Sequence, residues 1–305
     1  MRLRVLDLDG SVASQPCLAG LIAAGDAERV DARDLEQRLR ILASGRAFRA
    51  LGERLGEGAA DGESEVLFYG SGDFHHLTAL FVERQTEPLA VVHFDNHPDW
   101  VRYPTINCGS WVNMALASKN VAKVVTIGPC SDDLQNPERK LANLPAMREG
   151  RLVVYPWRSI PTRLWGAPLD TPSTRSGSGL LTWRSLAGES WSDFLDELVA
   201  SLPVRRLWIT IDKDVLLPAE AVTNWDQGEM TLDHIVAAVE RLASSFRIAG
   251  IDVCGDYSRP RLKDPLRAFL SWSDHPELPP HGDDDLAVND RTNARLVATF
   301  RKVLQ

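Results

Sequence analysis

The chain has 305 residues, of which 44% are hydrophobic and 25% charged, a balance that calls for a well-buried globular core rather than a disordered or fibrous chain. A formal net charge of -8 argues against nucleic-acid phosphates and anionic membranes as main partners. The four cysteines, Cys17, Cys108, Cys130 and Cys254, stand far apart, which argues against a structural zinc knuckle and a disulfide framework.

Taken in chain order, apolar runs rich in Val, Ile and Leu predict strands over 2–8, 66–69, 89–95, 123–127, 152–155, 206–212 and 247–253. Amphipathic stretches between them predict helices over 33–55, 76–84, 110–118, 192–201, 231–244 and 288–304. Strands that alternate with helices imply right-handed crossovers and a buried, mainly parallel sheet, so the fold class is α/β. One domain over 1–305 is expected, with long loops at about 156–190 and 255–287. The first is rich in Pro, Gly, Ser and Thr around Trp157, Trp165 and Trp183, and the second carries the cluster Asp283-Asp284-Asp285. No stretch reaches the roughly 18 to 20 apolar residues of a membrane span. The opening residues carry acids where a signal peptide places its apolar core, so a cytoplasmic location is the simplest expectation.

Chemistry concentrates at two predicted strand ends. Val91-Val92-His93-Phe94 runs into Asp95-Asn96-His97-Pro98-Asp99, and alternate residues of an extended segment point the same way, so Asp95, His97 and Asp99 can converge. Leu207-Trp208-Ile209-Thr210-Ile211 stops at Asp212-Lys213-Asp214, with both acids spaced to share a side. Carboxylates crowded this way gain a purpose from a divalent cation. A third piece, Gly70-Ser71-Gly72-Asp73-Phe74-His75-His76, turns from a strand into a helix and offers a histidine. Four carboxylates with two imidazoles suit two ions, and the oxygen-rich set favours manganese, with iron or cobalt as alternatives and zinc less natural.

Taken in chain order, the glycine-rich turn with its histidine, then Asp95-Asn96-His97-Pro98-Asp99, then Asp212-Lys213-Asp214, the three strings resemble the signatures of the arginase and agmatinase superfamily of ureohydrolases. The likeness runs from the strand near residue 66 to about residue 253. It implies a three-layer α/β sandwich around a parallel sheet, two Mn2+ ions and a guanidino substrate. By the same resemblance Asp95 and Asp212 would bridge the ions, His75 and Asp99 would complete one, and His97 and Asp214 the other. Asp99 would also act catalytically, holding a metal-bridging hydroxide that attacks the guanidinium carbon and releases urea. Cyclic homo-oligomers are familiar in the family.

The sequence departs from ordinary arginases at several places. Phe74 is an extra residue in the histidine turn, which leaves His76 as a competitor to His75. The family's histidine shuttle is replaced by Asn107-Cys108-Gly109-Ser110, so proton transfer falls to solvent, His76 or His234, and Asn107 becomes a substrate-binding candidate. Gly255 stands where the family has a glutamate that pairs with the guanidinium. A planar guanidinium wants a bidentate carboxylate, which nominates Asp256, supported by Asp252. The loop that reads free arginine's backbone groups is replaced by Trp100-Val101-Arg102-Tyr103-Pro104-Thr105-Ile106-Asn107, so the chain looks more like the atypical branch that makes ornithine from arginine within peptides.

Three other readings compete. A mononuclear zinc deacetylase of the same fold class would use the His75-His76 pair as acid and base. A non-catalytic relative would keep the metal and lose turnover. A haloacid-dehalogenase-like phosphatase would use Asp7 as nucleophile and Asp9 as acid in Asp7-Leu8-Asp9-Gly10.

Overall fold

The computed structural model describes residues 1–56, 58–59, 62–275 and 283–304. Eight strands form the central sheet: β1 (Arg2–Asp7), β2 (Glu28–Asp31), β3 (Glu65–Phe68), β4 (Leu89–Phe94), β5 (Val121–Ile127), β6 (Leu152–Tyr155), β7 (Arg206–Asp212) and β8 (Arg247–Cys254). Their spatial order is β2-β1-β3-β8-β7-β4-β5-β6, and every neighbouring pair is parallel.

Strict alternation along the strands sends side chains to two cores. From β4, Leu89 and Val91 enter one core, whereas Ala90, Val92 and Phe94 enter the other. The first core is closed by α2 (Gly45–Leu55), α3 (Leu77–Glu83) and α4 (Trp111–Ala117). The second is closed by α1 (Pro16–Ala24), α5 (Trp191–Ser201), α6 (Leu232–Ala243) and, from the far end of the chain, α8 (Asp283–Val303). Both faces of the sheet are therefore covered, which is the condition for an all-parallel sheet of continuous Val, Ile and Leu runs. Caps fix the helix starts. Ser44, Ser190 and Thr231 each accept a backbone N–H of the following turn, worth about 1 kcal/mol apiece.

Several expectations need correction. The helix expected over 33–55 is interrupted at Arg40–Ala43, where Ile41 takes a φ of 63°. Arg40 leaves the helix because its guanidinium is fully buried against Asp73 at 2.6 Å and Asp9 at 3.1 Å. The loop expected at 156–190 contains a three-stranded antiparallel sheet of Thr162–Arg163, Thr174–Gly177 and Leu180–Trp183, pinned by Leu181 and Trp183 in the first core. Within 255–287 lies α7 (Pro265–Asp274), begun by Pro265 after an Asp264 cap. Residues 276–282 and the side chains of Asp283, Asp284 and Asp285 lie outside the described residues. Among the described residues, no helix is long and apolar enough to cross a membrane.

The phosphatase-like string is spoken for. Asp7 is buried and accepts from Arg29 at 2.5 Å and Arg33 at 2.7 Å, and Asp9 accepts from Arg40, Ser11 and Ser258. With its carboxylate held by two arginines, Asp7 is a structural anchor at the carboxyl end of β1 and not an exposed nucleophile.

Candidate metal centre

Strands β3 and β4 follow each other in sequence but are separated in the sheet by β8 and β7. Such a switch of direction opens a crevice at the carboxyl ends of the strands. His75 arrives there after β3, Asp95 to Asp99 after β4, and Asp212 and Asp214 at the end of β7. After β3 a 3-10 turn, Gly72–Phe74, absorbs the additional Phe74, whose buried ring lies under Arg40. A Cβ at Gly72 would sit 2.6 Å from Asp212 Oδ2, so only glycine lets this turn approach the acid.

Asp95, His97 and Asp99 do not converge by strand alternation. β4 ends at Phe94, and Asp99 turns back toward the cluster in a left-handed conformation with φ 48°. Asp tolerates that region better than most residues. Its carboxylate is fixed by the indole N–H of Trp111 at 2.6 Å.

The six side chains named from sequence meet. His75 Nδ1 lies 2.9 Å from Asp95 Oδ2, 3.3 Å from Asp99 Oδ2 and 3.5 Å from Asp212 Oδ2, without the alignment of a hydrogen bond to any of them. His97 Nδ1 lies 3.0 Å from Asp214 Oδ2 and 3.5 Å from Asp95 Oδ1. Donor atoms of His75, His93, Asp95 and Asp99 fall within 4.8 Å of one another, as do those of Asp95, His97 and Asp214. Asp95 is common to both groups.

The proton on His75 is set from below. Asp252 accepts from Tyr69, Thr78, Thr210 and Trp208, so the Thr210 hydroxyl is spent as a donor and takes a hydrogen bond from His75 Nε2 at 2.9 Å. That leaves Nδ1, facing three carboxylates, as the atom to offer a cation its lone pair. Without a cation, burial opposes a proton there, but Asp95, Asp99 and Asp212 outweigh it and raise the imidazole well above its usual range. On the other side His93 Nε2 donates to Asp95 Oδ2 at 2.8 Å while Thr126 bonds its Nδ1.

The electrostatics describe a cluster too rich in carboxylates for its own protons. Burial and then the Asp95 charge push Asp99 up to about 7. Burial, Asp212 and Asp95 hold Asp214 well above the usual carboxylate range, and burial and Asp95 raise Asp212. Burial would raise Asp95 too, but the neighbouring imidazoles of His75, His93 and His97 hold it well below that range. Like charges at this spacing cannot all ionise without a compensating cation.

The cluster lines a cavity of about 60 Å³, which opens into a cleft of about 1170 Å³ bordered by Ile41, Tyr103, Asn107, Asp133, Trp225 and Asp226 among others. Asn107 is thus at the cleft, its amide turned to Thr105 at 2.8 Å.

Asp256 and Asp252 are corrections. Asp256 is fully buried, ion-paired with Lys213 at 2.6 Å and bonded by Gln15 at 2.6 Å, so it holds β8 to the β7 turn instead of facing a substrate. Asp252 sits beneath His75 with its oxygens filled by four donors, and neither acid borders the cavity. Position 255 admits no side chain. Its φ is 91°, and an added Cβ would lie 2.4 Å from Asp212 Oδ1. His76 points into the core against Phe48, with both ring nitrogens unpartnered and burial pushing it down to about 3. It is neither ligand nor shuttle, and the histidine-pair chemistry of a deacetylase loses its second member. His234 caps α6 between Trp157 and Trp191, away from both cavities.

Sequence reasoning missed His93, Asp226, Trp225 and Cys254. His93 was findable, because it stands two residues before Asp95 on the same face of β4. Asp226 accepts from His97 Nε2 at 3.0 Å, Trp225 packs edge-on against the same ring, and the Cys254 thiol donates to Asp212 at 3.2 Å. No spacing in the sequence announces these three.

No protein-family profile matches the chain. An uncharacterized protein of Thermotoga maritima is 25% identical over 191 residues, covering 63% of this chain and 58% of that relative's own length. Among solved structures, the arginase of Bacillus subtilis superposes with a TM-score of 0.60 at 13% identity, covering 98% of each chain. The agmatine ureohydrolase of Thermoplasma volcanium gives 0.55 at 13% identity over 98% of this chain and 88% of its own. The formimidoylglutamase of Bacillus subtilis gives 0.58 at 11% identity over 99% and 87%. The eight-stranded parallel sheet between two helical layers is thus the ureohydrolase fold.

Proposed function

We propose that this protein is a dinuclear-metal amidinohydrolase that adds water across a guanidino carbon and releases urea and an amine. One observation carries the reading: the unpartnered Nδ1 of a buried His75, aimed among three carboxylates beside a second His and Asp pair. His75, Asp95, Asp99 and Asp212 would hold one ion, and Asp95, Asp212, His97 and Asp214 the other. Oxygen-rich donors of this kind suit manganese. Bound there, divalent ions would supply a water whose pKa is lowered toward neutrality.

The chain's own residues supply position. Thr210 and Asp252 fix the His75 tautomer, His93 and the His97 backbone N–H orient Asp95, and Trp111 holds Asp99. The substrate class we favour is an arginine side chain within a peptide, giving ornithine. A cleft of about 1170 Å³ suits a ligand larger than one free amino acid, and the exposed Tyr103 at its rim offers an aromatic contact.

The test loads the protein with manganese and assays urea from free arginine, agmatine and a blocked arginine peptide, with metal stoichiometry measured alongside. Urea from the peptide and two bound ions per chain are expected. Two ions with urea from none of the substrates would sink the hydrolase reading, and a preference for free arginine would sink the peptide part alone.

A further inference from the structure

Position 255 is closed to any side chain, Asp252 is filled by four protein donors, and Asp256 is ion-paired with Lys213 and borders neither the cavity nor the cleft. The cation-binding carboxylate must therefore come from elsewhere. Apart from the six proposed ligands, the acids bordering the cavity or cleft among the described residues are Asp132, Asp133 and Asp226. Asp133 is paired with Lys140 at 3.1 Å. Asp226 has no lysine or arginine partner among the described residues. Its Oδ1 accepts from His97 Nε2 at 3.0 Å and its Oδ2 from Asn96 at 3.1 Å, while the side chain remains 57% exposed toward the cleft. Each oxygen keeps a further lone pair.

The neighbouring residue supplies a flat wall. Trp225 borders both the inner cavity and the cleft. Its indole N–H is anchored on Asp73 at 3.1 Å, and its ring is wedged edge-on between His97 at 5.5 Å and His275 at 5.0 Å. The loop that carries the pair is built in place. Asn224 accepts from Ser71 and from the Ser258 N–H, and donates to the Ser258 carbonyl. An indole face beside a carboxylate one residue away is the recognition chemistry of a planar, delocalised cation.

We infer that Trp225 and Asp226 form the subsite that selects a guanidinium group and seats it beside His97. This assignment rests on the amidinohydrolase reading for its substrate class, but its binding test stands apart from turnover. Manganese-loaded protein is titrated calorimetrically with N-acetyl-arginine methylamide and with the neutral, near-isosteric N-acetyl-citrulline methylamide. Wild type is expected to prefer the arginine probe at least about tenfold, as a charge-assisted contact should give. Asp226→Asn should abolish that preference with metal stoichiometry retained, Asp226→Glu should restore part of it, and Trp225→Leu should weaken the arginine probe more than the citrulline one.

In a urea assay with the arginine probe, Asp226→Asn should raise KM more than it lowers kcat. Persistence of the charge preference in Asp226→Asn would overturn the inference. So would loss of metal in that variant, which would make Asp226 a positioning residue for His97 alone. Charge-selective binding that depends on Asp226, without urea from any substrate, would overturn the hydrolase reading and leave this subsite standing.

Discussion

Two groups of acids stand at the carboxyl ends of neighbouring strands, and the protein treats them oppositely. Asp252 and Asp256, on and just past β8, are answered by their own chain: four donors fill the first, and the Lys213 ammonium neutralises the second, with Gln15 on the same oxygen. Asp95, Asp99 and Asp212 crowd instead around a histidine nitrogen with no hydrogen bond, and Asp214 crowds Asp212 and Asp95 beside them. Both groups are buried and both end strands, so neither burial nor position marks a binding acid. What separates them is whether the protein has already satisfied the charge.

The sharpest way to break this comparison is to remove one acid from each group. Asp95→Asn and Asp214→Asn should each lower metal affinity by well over the roughly 10- to 100-fold typical of an outer hydrogen-bond partner, read by equilibrium dialysis. Metal-free folding should be little impaired in Asp214→Asn, since that change relieves crowding. Near-normal metal binding in both variants would erase the distinction. Asp256→Asn should do the reverse, keeping metal stoichiometry at saturation while losing about 3–5 kcal/mol of stability in urea denaturation, because Lys213 is left buried without its counter-charge.

Metal itself should act only through the unsatisfied group. A hundredfold excess over Kd should stabilise wild type by about 2.7 kcal/mol for each ion bound, seen as a chelator-reversible rise in Tm that Asp95→Asn lacks. The smallest expected effect belongs to Asp252→Asn. Its new amide hydrogens face groups that already donate, costing about 1–3 kcal/mol, and the loosened Thr210 contact should weaken metal binding by about 10-fold or more. An unchanged metal affinity there would show that the Asp252–Thr210–His75 chain does not govern the tautomer.

Much of the framework was legible because short, continuous apolar runs stop abruptly at acids, as at Phe94-Asp95 and Ile211-Asp212. Asp256 was legible as an acid and misread as a site, since its partners Lys213 and Gln15 stand 43 and 241 residues away. The break at Arg40 was invisible for the same reason: Asp9 and Asp73 are brought to it only by the fold. By contrast α1 could have been read, with Pro16 opening it and Gly25 closing it in a left-handed cap. The strands within 156–190 could not. Their Pro, Gly and Ser content signals turns, and only Leu181 and Trp183, one face of a short strand, report the burial that holds them.

Gly255 also determines where this protein can change. Any side chain there collides with Asp212 and the Lys213 backbone before it reaches the cleft, so a carboxylate at this position requires β7 and β8 to be moved apart. The 223–226 loop touches the proposed ligand shell through His97 and Asn96 and leaves Asp226 facing the cleft. New substrate preferences, whether selected or engineered, are therefore expected to accumulate in that loop while position 255 stays fixed.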